Sequence, residues 1–98
     1  MSFGINSFFK HLEIEMSDLL ERVKKKVEMA LEGAEVSLQD DSADHAGHGA
    51  NGAHLSMIVV YPGFAGVPLL KQHKQIYQIL ENEMKQEIHA LAIKTRSE

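Results

Sequence analysis

Apolar side chains recur at three- and four-residue steps from Leu19 through Leu20, Val23, Val27 and Ala30 to Leu31, the spacing of one buried helix face. Ser17 and Asp18 offer a hydroxyl cap and an acid at the positive end of the helix dipole, and Gly33 supplies a left-handed cap at the other end. The period then changes to two: residues 34–40 alternate and predict a strand. Residues 41–53 hold Asp, Ser, Gly, Asn, Ala and His but no large apolar side chain, so they form a long connection. Residues 54–61, rich in β-branched side chains and stopped by Pro62 and Gly63, predict a second strand. Pro68 opens a second helix, where its missing N–H is harmless, with Leu69, Leu70, His73, Ile76, Tyr77, Leu80 and Met84 as its inner stripe. Residues 88–95 predict a third strand, followed by a charged tail.

The order α-β-β-α-β predicts an α+β sandwich in which a three-stranded sheet carries both main helices on one face. Residues 1–16 hold Phe3, Ile5, Phe8, Phe9, Leu12 and Ile14 without a clear period and read as an N-terminal arm. Residues 17–96 form the domain and 97–98 a tail. At 98 residues the chain supports one hydrophobic core. Its longest uncharged apolar run, residues 55–70, is broken by two prolines and two glycines and does not predict a membrane span. No basic segment followed by an apolar stretch opens the chain, so the expectation is a cytoplasmic or mitochondrial protein, not a secreted one.

Candidate chemistry is concentrated in histidine. The chain has six histidines and no cysteine, and His45, His48 and His54 fall in or at the end of one connection. Imidazole binds borderline transition metals at neutral pH without a thiol. Absence of cysteine excludes disulfides, a thiolate nucleophile and a self-contained cysteine-ligated cluster. His89 opens the third strand, and pairing of that strand with the second would bring it near His45, His48 or His54. Two nitrogens are too few for a closed structural zinc site, so sulfur ligands would have to come from a partner. The competing reading is a polar loop and a structural histidine. His73 lies on the stripe of the second helix and reads as a packed side chain, and His11 as solvated.

Gly63-Phe64-Ala65-Gly66 matches the G-x-x-G of KH domains, where a glycine turn clamps a nucleic-acid backbone. With Lys71 and Lys74 on the following helix, Gly63 and Gly66 form the candidate nucleic-acid site. A formal charge of −4 weighs against this alternative. The commoner role of such a turn is to join strand to helix. No G-x-S-x-G, P-loop or EF-hand spacing is present, so no enzyme activity is expected.

Several segments together resemble the BolA family: Asp41 to His45, His54 at the start of a strand, Phe64-Ala65-Gly66, Gln72-His73-Lys74-Gln75-Ile76-Tyr77, and Ile88-His89-Ala90-Leu91-Ala92-Ile93-Lys94-Thr95. The likeness covers residues 17–96, and its closing segment is the most specific. Gln72-His73-Lys74 stands where the family pattern has R-H-R. The resemblance implies a fold related to the KH type II arrangement. It further implies a non-enzymatic adaptor that shares a bridged 2Fe-2S cluster with a monothiol glutaredoxin, in cluster trafficking or iron sensing. Glutaredoxin cysteine and glutathione would provide sulfur, while His89 and one residue of the loop between the first two strands provide nitrogen. Without cysteine the chain resembles the histidine type of the family. His45 takes the loop position, His54 is the second choice, and the isolated chain is expected to hold no cluster. The rival that the resemblance carries is a DNA-binding transcriptional regulator.

Overall fold

The computed structural model describes residues 18–41 and 52–98. Helix α1 covers 18–30 of these, and Gly33, at φ 88°, turns the chain out of it. Strands β1 (Glu35–Asp40) and β2 (Ala53–Val60) follow, then a 3₁₀ turn (Pro62–Phe64), helices α2 (Leu69–Ile79) and α3 (Glu81–Gln86), and strand β3 (Ile88–Arg96). The predicted N-terminal arm, Ser17, His11, His45 and His48 lie outside the described residues.

The sheet has the order β1-β2-β3. β1 runs antiparallel to β2, with Val36 opposite Val59 and Leu38 opposite Met57. β3 runs parallel to β2, with Leu55 opposite Leu91 and Met57 opposite Ile93. A parallel neighbour requires a crossover, which α2 and α3 supply. Strict alternation along β2 sends Ala53, Leu55, Met57 and Val59 into the core and leaves His54, Ser56, Ile58 and Val60 on the other face. Leu19, Val23 and Val27 of α1 and Leu31 just after it, with Phe64, Ile76 and Leu80, complete the same core. The helices therefore cover one face of the sheet, as the α+β pattern predicts.

The second helix departs from its predicted form. It divides at Leu80, whose backbone (φ −100°, ψ 21°) joins α2 to α3 while its side chain is fully buried. Leu69 and Leu70 were expected on the inner stripe but are 60% and 68% exposed. Gln72 takes the inward position in that turn. Its amide donates to the carbonyl of Val67 at 2.7 Å, and its Oε1 accepts the Thr95 hydroxyl. Satisfying these groups rotates the helix, and Gln72, His73, Ile76, Ile79 and Leu80 become its inner face.

Candidate functional site

Pairing of β2 with β3 slips by one residue at the start of β3. Ala53 lies opposite Ile88 and His54 opposite Ala90, so His89 has no opposite number. Such a bulge re-aims a side chain. Here both His89 and Ala90 are exposed between buried Ile88 and Leu91, and the His89 ring meets that of His54, with centroids 5.0 Å apart and planes inclined at 40°. His89 stands on the open side beside half-buried His54.

Local hydrogen bonds fix the surroundings. The Asp41 amide donates to the His54 carbonyl at 2.7 Å, and the Asp41 carboxylate accepts the Gln39 amide at 2.9 Å and the Ser56 hydroxyl. These contacts hold the chain beside His54 where it leaves β1. Asp41, His54, Leu55, Ala90, Leu91 and Ala92 line a cleft of about 260 Å³. On the other side of the bulge, the Ala53 amide donates to the Glu87 carbonyl at 2.9 Å. The Glu87 carboxylate receives two hydrogen bonds from Arg22, which also donates to Asp18 at 2.8 Å. The Arg22 hydrogen bonds hold the Glu87 carboxyl below its ordinary range, and those to Glu87 and Asp18 raise the Arg22 guanidinium above its own.

The described part of the site thus offers two imidazoles on a rigid sheet. Among the described residues no group of three or more His, Cys, Asp or Glu side chains could hold a metal. Two imidazole nitrogens suit a borderline transition metal that takes its remaining ligands elsewhere.

The candidate nucleic-acid residues form no comparable cluster. Gly63 lies against the Tyr61 ring, where a Cβ would collide. Phe64 is buried at 1% exposure and makes an edge-on contact with Tyr61 at 5.0 Å. The glycine turn therefore anchors an aromatic side chain in the core, while Lys71 and Lys74 project from α2 as exposed residues. His73 lines a separate cleft of about 490 Å³ with Ile58, Leu69, Ile93, Lys94, Thr95 and Arg96. Its Nε2 is buried with no hydrogen-bond partner among the described residues.

The sequence profile of BolA-like proteins matches residues 27–98. The chain belongs to the BolA-like family. This BolA-like chain is 38% identical over 85 residues to Protein BOLA1, chloroplastic, of Arabidopsis thaliana, covering 79% of the chain and 53% of that protein. It is 35% identical over 80 residues to SufE-like protein 1, chloroplastic/mitochondrial, of the same plant, covering 74% of the chain and 22% of that protein. The solved BolA domain of the Arabidopsis SufE1 superposes with a TM-score of 0.68 at 36% identity, covering 78% of this chain and 87% of that one. The DNA-binding transcriptional regulator BolA of Escherichia coli (strain K12) is 29% identical over 75 residues, covering 76% of the chain and 71% of that protein. The chain thus spans about half of BOLA1 and less than a quarter of SufE-like protein 1. Among the described residues no helix is long and apolar enough to cross a membrane.

Sequence reasoning missed three residues at this site. Gly52 abuts the His89 backbone, and its only signal was a glycine just before a strand. Arg22 and Glu87 pair across 65 positions, a separation that no local pattern reveals. Gln72 was noted only as a replacement for arginine.

Proposed function

We propose that this BolA-like chain is a non-enzymatic adaptor that shares a 2Fe-2S cluster with a monothiol glutaredoxin. His89 and one loop histidine act as the nitrogen ligands. The observation carrying this reading is the His54 and His89 pair, 5.0 Å between ring centroids on the open side of the sheet, in a chain with no thiol of its own. The partner cysteine and its glutathione supply the sulfur that this chain lacks. His45 holds the loop position by family resemblance, and the ring contact supports His54 as the second choice. A mixed sulfur and nitrogen environment raises a cluster's reduction potential, as histidine does at Rieske centres. The chain's own part is to hold two imidazoles at fixed positions and exchange them when the cargo moves on, in cluster trafficking or iron sensing. Cytoplasm or mitochondrion is the compartment this reading assigns, and two relatives carry organellar names.

The test is to mix the chain with a monothiol glutaredoxin, glutathione, iron and sulfide under anaerobic conditions and record visible absorption and circular dichroism. A spectrum distinct from that of cluster-loaded glutaredoxin, absent with His89→Ala, is expected. Identical spectra with and without the chain would remove the reading. So would a stoichiometric cluster on the isolated chain after desalting.

A second reading, nucleic-acid binding, draws on Lys71 and Lys74, which make no salt bridge among the described residues, and on the name of the Escherichia coli relative. It predicts duplex DNA affinity that falls by about tenfold for two phosphate contacts between low and physiological salt, and more steeply with each further contact. It also predicts that Lys71→Ala and Lys74→Ala reduce the salt slope.

A further inference from the structure

Just before β2 begins, the chain passes so close to His89 that a side chain meets a crowded wall. Gly52 has φ +94°, and a Cβ built on it would sit 3.2 Å from the His89 Cβ and 3.3 Å from both the Glu87 carbonyl oxygen and the His89 amide nitrogen. Two of these atoms belong to His89, the bulged residue, and the third to Glu87 just before β3. They have little room to retreat, because the Glu87 carbonyl accepts the Ala53 amide and the Glu87 carboxylate is held by Arg22. The nearest atom is the His89 Cβ, from which the imidazole hangs. A side chain at position 52 must therefore either turn His89 or lift the start of β2, and β2 carries His54.

Gly33 separates this contact from backbone strain. It has nearly the same dihedral, φ +88°, yet a Cβ there would meet nothing within 4 Å. Both positions disfavour a side chain on conformational grounds, but only Gly52 touches a candidate ligand.

We infer that Gly52 is the positioning residue of His89: by carrying no side chain it lets the start of β2 lie on the bulge and so sets the His89 ring beside that of His54. Its consequence for metal binding rests on the shared-cluster reading above, whereas the geometry belongs to the chain alone. Residues that orient a ligand from outside the coordination shell alter metal affinity by about 10- to 100-fold, and Gly52 is assigned that scale of effect.

Gly52→Ala, Gly52→Asn and Gly33→Ala test the inference on the metal-free chain. Asparagine tolerates the left-handed region better than other side chains, so Gly52→Asn keeps the backbone while placing a Cβ on His89. Nuclear Overhauser contacts between the His54 and His89 ring protons are expected in the wild type and in Gly33→Ala, and are expected to weaken in both Gly52 variants. In the complex with cluster-loaded glutaredoxin, the Gly52 variants should bind about tenfold or more weakly, while Gly33→Ala follows the wild type. Ring contacts preserved in Gly52→Asn would overturn the inference. Their equal weakening in Gly33→Ala would do the same, because general loosening would then account for the effect. A wild type that forms no cluster-bridged complex removes the functional reading and leaves the ring-contact comparison to decide Gly52.

Discussion

Arg22 grips Glu87 through two hydrogen bonds, Nη1 to Oε1 at 3.1 Å and Nη2 to Oε2 at 2.5 Å, and so ties α1 to the residue two positions before the His89 bulge. The pair is solvent-accessible, so its contribution to stability is about 0.2–1 kcal/mol. Hydrogen bonds from Arg22 lower the Glu87 carboxyl below its ordinary value of 4.5. A group whose folded value is depressed adds stability above its unfolded value and loses it as pH falls through the folded one. Glu87→Gln should therefore be slightly less stable than wild type at neutral pH, and the difference should shrink below about pH 4.5. Urea midpoints for both proteins from pH 7 to pH 3 check this, and a gap that widens toward acid would contradict it.

His89 is exposed, so His89→Ala should change stability by no more than about 0.5 kcal/mol yet abolish the spectral change on mixing with cluster-loaded glutaredoxin. If His89 were structural the order would reverse, with early melting and a normal complex. His54 is half-buried in β2, and its alanine variant should lose stability as well as weakening the bridged cluster.

The loop histidines should be unequal. His45→Ala should destabilise the bridged cluster, and His48→Ala should do little. A histidine ligand binds only when deprotonated, so cluster release should quicken as pH falls through about 6.5, where free imidazole titrates. That trend should flatten in His45→Ala. Identical release profiles for wild type and His45→Ala would move the assignment to His54 or to no loop ligand.

Phe64, 1% exposed at the centre of the glycine turn, tests whether that turn is architectural. Phe64→Ala should cost about 3–5 kcal/mol and lower the melting temperature by more than about 10 °C. Gly66→Ala probes the turn without touching the core. A thermal melt of Phe64→Ala close to that of wild type would show that the aromatic side chain is not the anchor.

Most of the fold could be read from hydrophobic period. The run from His54 to Tyr61 predicted a strand because it is rich in β-branched residues and is stopped by Pro62 and Gly63, and α1 followed from Leu19, Val23, Val27 and Leu31. The first turn of α2 misled because Leu69 and Leu70 resemble core residues, while Gln72 faces inward to satisfy the Val67 carbonyl and the Thr95 hydroxyl. At the site, the approach of His89 to a histidine near the start of β2 was legible from strand pairing. The bulge was not, since Ile88-His89-Ala90-Leu91 reads as a strand with or without an extra residue. Gly52 was hidden for a related reason: its contacts are with Glu87 and His89, which are far away along the chain.

Parallel pairing of β2 with β3 makes the histidine pair a late product of folding. His54 and His89 are separated in sequence by the whole crossover of turn, α2 and α3, and such non-local closure is the slow part of forming a mixed fold. A nascent chain with β3 still inside the ribosome has only one of the two imidazoles at its final address, and β1 with β2 alone cannot supply the other. The paired imidazoles therefore exist as a pair only once β3 has docked on β2.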